Sequence, residues 1–490
     1  GSFFLIPLLG SEFVPQADFA ETQVNFQTPV GSSLELTEAK ARQVDAALRE
    51  FPEVKTTYTT INTANTGKHA AAMYITLSDR KDRTRSQNDL TKPMRERLQQ
   101  IGGIAVTHVG VMNPVSNAKL LVVSLQGTDL AELERVSEDA QARLRRIPGL
   151  VDLDSSLKPA KPSISVELRR ELASDLGISL AQVGAALRPL LAGEDTGTWR
   201  GPDDEYYDVR VRLSPADRES AAGLERIMIT SSQLQADGTP RAVPLRQVAA
   251  LKESKGVSQI NRRDLTREVE LTANVYGRSA GEVSKDIKAA LGGMDWKPGY
   301  RWVMGGSTKD MQEAFGFAAS ALLLAFVFIY MILASQFRSF VQPLAIMSSL
   351  PLTLIGVILA LMLFRSTLNL FSIIGFILLM GLVTKNAILL VDFANQARAA
   401  GKGRSEAILE AARVRLRPVL MTTLAMVFGM LPLALGIAEG AEQRAPMGQA
   451  VIGGVITSSL LTLVVVPVAY TYLDDLTVWA RRRFARKDQQ

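Results

Sequence analysis

Five long apolar runs constrain this chain more than any other feature. They read "FGFAASALLLAFVFIYMILASQF" at 315–337, "VQPLAIMSSLPLTLIGVILALMLF" at 341–364, a stretch from Leu370 to about Asn395, "LRPVLMTTLAMVFGMLPLALGIA" at 416–438, and "MGQAVIGGVITSSLLTLVVVPVAYTYL" at 447–473. At 1.5 Å per residue each is long enough to cross a hydrocarbon core of about 30 Å. A buried helix of a soluble domain is a poor competitor for runs of this length and apolarity. The preceding residues, Ser11 to Met311, are polar and mixed, so the chain divides into a soluble region and a five-helix membrane bundle.

The basic residues orient the bundle. The link between the third and fourth runs carries Arg398, Lys402, Arg404, Arg413, Arg415 and Arg417. The tail carries Arg481, Arg482, Arg483, Arg486 and Lys487. The link between the first two runs has Arg338, and the other two links have only Arg365 and Arg444. Positive loops stay inside. The first full span therefore runs outside to inside, the C-terminus is cytoplasmic, and the large polar region is external. This accounts for the net charge of +6 without nucleic acid. The opening "GSFFLIPLL" is too short to span and reads as the remnant of a preceding transmembrane helix.

The external region reads as small α+β units. "TQVNFQTPV", a helix over "SSLELTEAKARQVDAALREF", the strands "EVKTTYTTIN" and "HAAAMYITLS", a helix over "SQNDLTKPMRERLQQI" and the strand "IAVTHVGV" give the order βαββαβ. A second such unit begins with "AKLLVVSLQG", "DLAELERVSEDAQARLRRI" and "GLVDLDSSL". It resumes with "REVELTANV", "SAGEVSKDIKAALGG" and "YRWVMGG". Between the two parts lies an insert containing two short helices ("RRELASDLG", "SLAQVGAALRPLL"), the strands "YYDVRVRL" and "RIMITSS", and a turn at "LQADGTPRA". The fold class is thus an α+β membrane protein. The expected boundaries are 1–10 for the span remnant, 11–115 for the first split-βαβ (ferredoxin-like) subdomain, and 116–161 with 262–311 for the second. The insert covers 162–261, the five-helix bundle 312–475 and the basic tail 476–490.

Within the third run, "MGLVTKNAILLVDFAN", sits Lys385. It lies ten residues from Asn395, roughly 15 Å deep, beyond the reach of a lysine stem of about 6 Å. Even a lenient insertion scale charges about 2.5–3.5 kcal/mol for a central lysine. An intramembrane charge is by default a functional site, and its counter-charge has to be found. Asp392, two turns on, is about 10 Å along the axis and is a poor sole partner. No other carboxylate lies in the core of any run. Thr422 and Thr423 stand two turns into the fourth run, and Thr422 shares a face with Arg415, seven residues before it. A membrane threonine commonly bonds its own backbone instead. Gly381, Gly453 and Gly454 would permit close helix packing.

The run "GLVTKNAILLVDFA", the basic link, and "RLRPVLMTTLAMVFGMLPLAL" together resemble the C-terminal half of a resistance-nodulation-division (RND) efflux pump of the multidrug, hydrophobe/amphiphile branch. "GSEFVPQAD" is similar to the segment after that family's seventh transmembrane helix. The resemblance covers essentially the whole chain. It implies a trimeric inner-membrane proton/drug antiporter of a Gram-negative bacterium, working with a periplasmic adaptor and an outer-membrane channel. Small amphiphilic compounds would be the substrates, protons the coupling ion, and no cofactor would be needed. By position Lys385, Thr422 and Arg415 would form its proton relay. The relay aspartates would belong to an N-terminal half. The two βαββαβ units would be porter subdomains and the insert part of the docking region. Tyr58, Thr60 and Tyr74, on the middle strands of the first unit, would contact substrate, although aromatics on strands can simply be core. The loop "NTANTGKH" lacks the phenylalanine-rich tip of multidrug relatives.

Two other readings compete. A heavy-metal exporter of the same superfamily needs soft or imidazole ligands. The chain has no cysteine and two histidines, His69 and His108. A non-transporting lipid-sensing or secretion accessory protein would have no use for Lys385. No nucleophile elbow, phosphate loop or metal-ligand spacing points to an enzyme.

Overall fold

In the computed structural model, residues 5, 8–62, 67–111, 119–158, 160–218, 220–256 and 259–485 are described. Most of the expected span remnant at 1–10 lies outside them, as do residues 63–66 of the loop "NTANTGKH" and the basic residues Arg486 and Lys487.

The first external module runs β1 (Glu21–Gln27), α1 (Leu34–Leu48), β2 (Val54–Ile61), β3 (Ala70–Leu77), α2 (Gln87–Gln99) and β4 (Ala105–Gly110). Its strands pair antiparallel in the order β2-β3-β1-β4. The alternation in β1 and β3 sends Val24, Phe26, Met73 and Ile75 to one face. There they meet Val44 and Leu48 of α1 and Leu90, Met94 and Leu98 of α2, and these side chains are all buried. Ser33 caps α1, and a reciprocal Ser86–Asp89 capping box starts α2. The opposite face of the sheet is left uncovered by helices of its own module.

The second module opens with β5 (Leu121–Gly127), α3 (Leu130–Leu144) and β6 (Leu150–Ser155). The chain then leaves it. Residues Lys158–Gln259 form a compact unit of their own. That unit comprises β7 (Lys161–Leu168), α4 (Arg170–Asp175), α5 (Leu180–Ala192), β8 (Glu194–Arg200), β9 (Tyr206–Val211), α6 (Pro215–Arg218), α7 (Ala221–Glu225), β10 (Met228–Leu234), β11 (Pro240–Pro244), α8 (Leu245–Val248) and β12 (Ala249–Gly256). Three two-stranded ladders, β7–β12, β8–β9 and β10–β11, surround a core of Ala173, Ile178, Val183, Ile229, Val243, Leu245 and Val248. Strands β7, β8, β11 and β12 are additions to the sequence reading. In β8, "EDTGTWR" is exposed at every position, so there is no buried alternate face to betray it.

The second module resumes with β13 (Asn261–Arg263), β14 (Thr266–Val275), α9 (Ala280–Gly292) and β15 (Arg301–Gly305). Its sheet is ordered β13-β14-β5-β15, with β6 also on β14. The core packs Leu121, Val123 and Leu125 against Leu133 and Leu144 of α3 and Val283, Ile287 and Leu291 of α9.

A buried polar cluster joins the two modules where β4 meets β6. The Asp152 carboxylate accepts from Arg95 Nε at 2.7 Å and Nη2 at 2.9 Å, from the Val109 amide at 3.1 Å, and from Asn274 Nδ2 at 3.0 Å. The His108 ring accepts from Asn274 at Nδ1, 2.7 Å away, and donates from Nε2 to the Gly110 carbonyl at 3.0 Å, which makes it neutral. Lys119 donates to the Asp152 carbonyl at 2.7 Å.

The membrane helices are α10 (Gly306–Phe337), α11 (Gln342–Met347), α12 (Ser349–Leu363), α13 (Leu370–Ala399), α14 (Arg404–Leu435) and α15 (Ala445–Ala485). They supply five segments long and apolar enough to cross a membrane, with α11 and α12 together making the second. Two boundaries differ from the sequence reading. Helix α10 starts nine residues before Phe315, directly after β15, and runs unbroken through the expected boundary at 311/312. Helix α14 starts at Arg404, so Arg413, Arg415 and Arg417 lie on a helix and not in a loop. Its first turns stay helical because Ala407, Ile408 and Ala411 bury against the bundle. Close packing centres on α15. A Cβ at Gly356 would lie 2.3 Å from the Gly453 carbonyl oxygen, and one at Gly454 would lie 1.9 Å from Leu379. Gly381 does not take part: nothing lies within 4 Å of its Cβ position among the described residues.

Candidate functional site: a cationic cavity between two membrane helices

Helices α13 and α14 lie side by side, and between them is a cavity of about 300 Å³. Leu382, Lys385, Asn386 and Leu389 line it from α13. Arg415, Pro418, Val419, Thr422, Ala425 and Met426 line it from α14. The spacing of three or four residues on both sides is that of one helical face on each. The three sequence candidates Lys385, Arg415 and Thr422 therefore share one apolar-walled space. Pro418, inside α14, leaves the Val414 carbonyl without its amide partner, about two turns before Thr422.

Each polar group has a distinct environment. Lys385 has no ion pair or hydrogen bond among the described residues. The Arg415 guanidinium lies over the Phe393 ring at 5.6 Å, and its Nε is buried without a hydrogen-bond partner among those residues. The Thr422 hydroxyl donates to the Val419 carbonyl at 3.0 Å, its own preceding turn, while still facing the cavity. Asp392 accepts from Gln396 at 2.8 Å and does not line the cavity. The cavity thus holds two cationic side chains, an amide and a hydroxyl, with no carboxylate among the described residues. Chemically it is a receptor for anionic groups, and a carboxylate entering it would find an ammonium, a guanidinium and hydroxyl or amide donors.

Sequence reasoning passed over two neighbours. Asn386 stands next to Lys385 and lines the same cavity, but it carries no charge to mark it within the run. Thr423, not Thr422, makes the interhelical bond, to Ser459 of α15 at 2.7 Å. The signal available for it was the pair of adjacent threonines, which must face different directions on a helix.

Tyr58, Thr60 and Tyr74 are elsewhere. They belong to the open face of the first sheet and do not line the membrane cavity. Tyr58 and Tyr74 are direct cross-strand partners, 69% and 41% exposed, so neither is a core residue. Thr60 stands opposite Ala72 and donates to its carbonyl at 3.3 Å. The Tyr74 hydroxyl donates to the Glu21 carboxylate. That hydrogen bond, with burial and the carboxylate's charge, pushes the phenol up to about 12. No group of three or more His, Cys, Asp or Glu side chains that could hold a metal occurs among the described residues.

Five membrane-crossing helices joined to a large soluble α+β region define a multi-pass membrane protein. Residues 1–474 match the AcrB/AcrD/AcrF family, and the chain belongs to that family. Among its relatives, the multidrug resistance protein MdtC of Klebsiella pneumoniae subsp. pneumoniae is 30% identical over 498 residues. That alignment takes in 100% of this chain and 47% of the relative. MdtC of Escherichia coli O157:H7 is 29% identical over 487 residues, covering 98% of this chain and 46% of the relative. The chain therefore spans about half the length of these relatives. Two crystal forms of a heavy metal efflux pump have similar structures. Their TM-scores are 0.83 and 0.84 at 26% and 27% identity, over 97% of this chain and 49% of theirs.

Proposed function

We propose that this chain is a subunit or portion of a proton-driven RND efflux antiporter in a bacterial inner membrane, exporting small hydrophobic or amphiphilic compounds. The observation that carries the reading is the α13–α14 cavity, where Lys385, Arg415 and Thr422 meet in an apolar setting without a carboxylate among the described residues. Aspartates supplied by other helices of the complete pump would enter this space as the counter-charge. While they are ionised, Lys385 is held by an ion pair. Protonation removes their charge, releases the ammonium, and changes how α13 packs. Thr422 and Arg415 would pass or hold the proton and the carboxylate in that exchange. The external modules would then alternate in shape, with the residue 158–259 unit as the docking part. Tyr58, Thr60 and Tyr74 would offer amphiphiles an aromatic and hydroxyl surface on the open face. The working assembly would be a trimer with a periplasmic adaptor and an outer-membrane channel.

The test is Lys385→Ala in the complete pump. Dye efflux should fall to background while the protein still reaches the membrane and assembles. Unchanged efflux would refute the relay role of Lys385, whereas background efflux already in the wild type would favour a non-transporting accessory protein. A second reading, export of heavy-metal ions, has the similarity to the heavy metal efflux pump structures in its favour. Metal-dependent growth protection without protection against amphiphilic drugs would select it.

A further inference from the structure

Glu12 lies where the polypeptide enters the soluble region, at the opposite end of α13 from its basic C-terminal turn. The segment 10–13 is held on two sides. Leu368 donates to the Gly10 carbonyl at 2.8 Å, Glu12 donates to the Leu368 carbonyl at 3.1 Å, and Leu370 donates to the Phe13 carbonyl at 3.2 Å. Those partners are the α12–α13 loop and the first residue of α13. On the other side the Gly281 amide of α9 donates to the Ser11 carbonyl at 2.8 Å. A Cβ at Gly281 would lie 2.7 Å from that carbonyl oxygen, so only glycine allows the approach. The segment therefore ties the membrane helices to the second external module.

The Glu12 carboxylate accepts from the Thr367 hydroxyl. Thr367 Oγ1 in turn accepts from Asn369 Nδ2 at 3.2 Å, and Asn369 is the N-cap of α13, closed in a reciprocal box with Ser372. Glu12 also lines a small cavity of about 40 Å³ walled largely by Phe13, Val14, Ala17, Leu120 and Val275. Charged groups on the surrounding elements are occupied elsewhere or unpaired with it. Glu282 of α9 accepts from Ser279, and Lys309 of α10 pairs with Glu313. Arg365, Asp310, Glu442 and Arg444 form no ion pair with Glu12 among the described residues.

We propose that Glu12 is a second proton-binding site, separate from the Lys385 cavity, whose protonation state latches the α13 cap to the segment leading into the external modules. The inference goes beyond the relay reading and does not require it. Among the described residues, an ionised carboxylate in this seam has one hydroxyl donor and no cation, so the protonated form is the one the surroundings favour. Burial accordingly raises its pKa above the ordinary glutamate value, against a smaller lowering by the Thr367 hydrogen bond. Deprotonation would draw water into the seam and loosen the bonds of Leu368 and Leu370.

The test uses the full chain in lipid nanodiscs, with infrared titration of the protonated-carboxyl carbonyl band and hydrogen exchange at Leu368 and Leu370. Wild type should show a band, absent from Glu12→Gln, that persists above the ordinary glutamate pKa of 4.5. Thr367→Val should move its midpoint further up, and this variant keeps the test open if Glu12→Gln folds poorly. Protection of the Leu368 and Leu370 amides, corrected for intrinsic exchange, should fall through the same pH range in wild type but not in Glu12→Gln. The proposal is overturned if Glu12→Gln removes no band, if the midpoint is at or below 4.5, if Thr367→Val leaves it unmoved or lowers it, or if the two exchange profiles coincide. Lys385→Ala should leave this band in place, so loss of the relay and loss of the latch are read separately.

Discussion

Removing the Asp152 carboxylate should separate the two external modules locally, and the size of the effect follows from burial. The Asp152 side chain is 2% exposed and that of Arg95 12%, so the pair sits away from water. Asp152→Ala would leave the Arg95 guanidinium, the Val109 amide and one Asn274 donor without their shared acceptor. Breaking a buried pair from one side costs about 3–5 kcal/mol, mostly for the charge left unpaired. At about 1.4 kcal/mol per factor of ten, protection of the β4 and β6 amides should drop between about a hundredfold and a few thousandfold. Hydrogen exchange on the purified chain reads this directly. The built-in comparison is Glu50, which pairs with Arg97 at 2.6 Å on the surface. Glu50→Ala should leave protection where it was, because exposed pairs contribute little. A change below tenfold for Asp152→Ala, or one no larger than for Glu50→Ala, would refute the argument that this cluster clasps the modules.

Acid should loosen the same seam in two stages. Burial, opposed in part by the Asp152 charge, pulls the His108 pKa down from 6.5 to about 4. The unfolded chain then binds a proton that the folded one refuses. Stability is full above about 6.5 and is lost as pH falls towards 4, by about 3 kcal/mol in all. Asp152 follows at lower pH. Burial would raise its pKa, but Arg95 and the Asn274 and Val109 donors outweigh that and lower it, so its contribution vanishes as pH falls through the folded value. Exchange protection measured from pH 7 to 4 checks the first stage and its continuation below 3.8 the second, and His108→Gln should flatten the upper stage. In the membrane bundle, Gly356→Ala should force α12 away from α15, because its Cβ would meet the Gly453 carbonyl and Thr457 at 2.3 and 2.5 Å. A cost of about 1–3 kcal/mol is expected for such overpacking. Gly381→Ala, with open space around it, should instead stabilise the helix by roughly 0.5–1 kcal/mol, and melting in detergent distinguishes the signs.

What was legible in the sequence depended on how many residues repeat one message. The membrane runs and the strands β1 and β3 say the same thing at every turn or alternate position, so their existence and faces could be read directly. Lys385 was legible for the opposite reason: a charge deep in such a run is costly unless it has a function or a paired carboxylate. Its grouping with Thr422 and Arg415 was implied by the resemblance, since spacing alone puts only Thr422 and Arg415 on one face, and the structure brings all three to one cavity. Signals that depend on contact were silent. "EDTGTWR" has no buried face to mark it as a strand, and Arg404 to Arg417 looked like a loop because charge masked the small residues, Ala407 and Ala411, that hold the helix to its neighbours. Asp152 and Glu12 are both acids with a hydrophobic residue next in the chain, and nothing local in the sequence tells them apart. The fold gives them contrary roles. Asp152 meets a guanidinium, two further donors and a lowered pKa, while Glu12 meets one hydroxyl, an apolar wall and a raised one. The first therefore acts as a fixed charge that fastens two modules and fails only in acid. The second has its pKa raised above the ordinary glutamate value, at the joint between the membrane helices and the second external module.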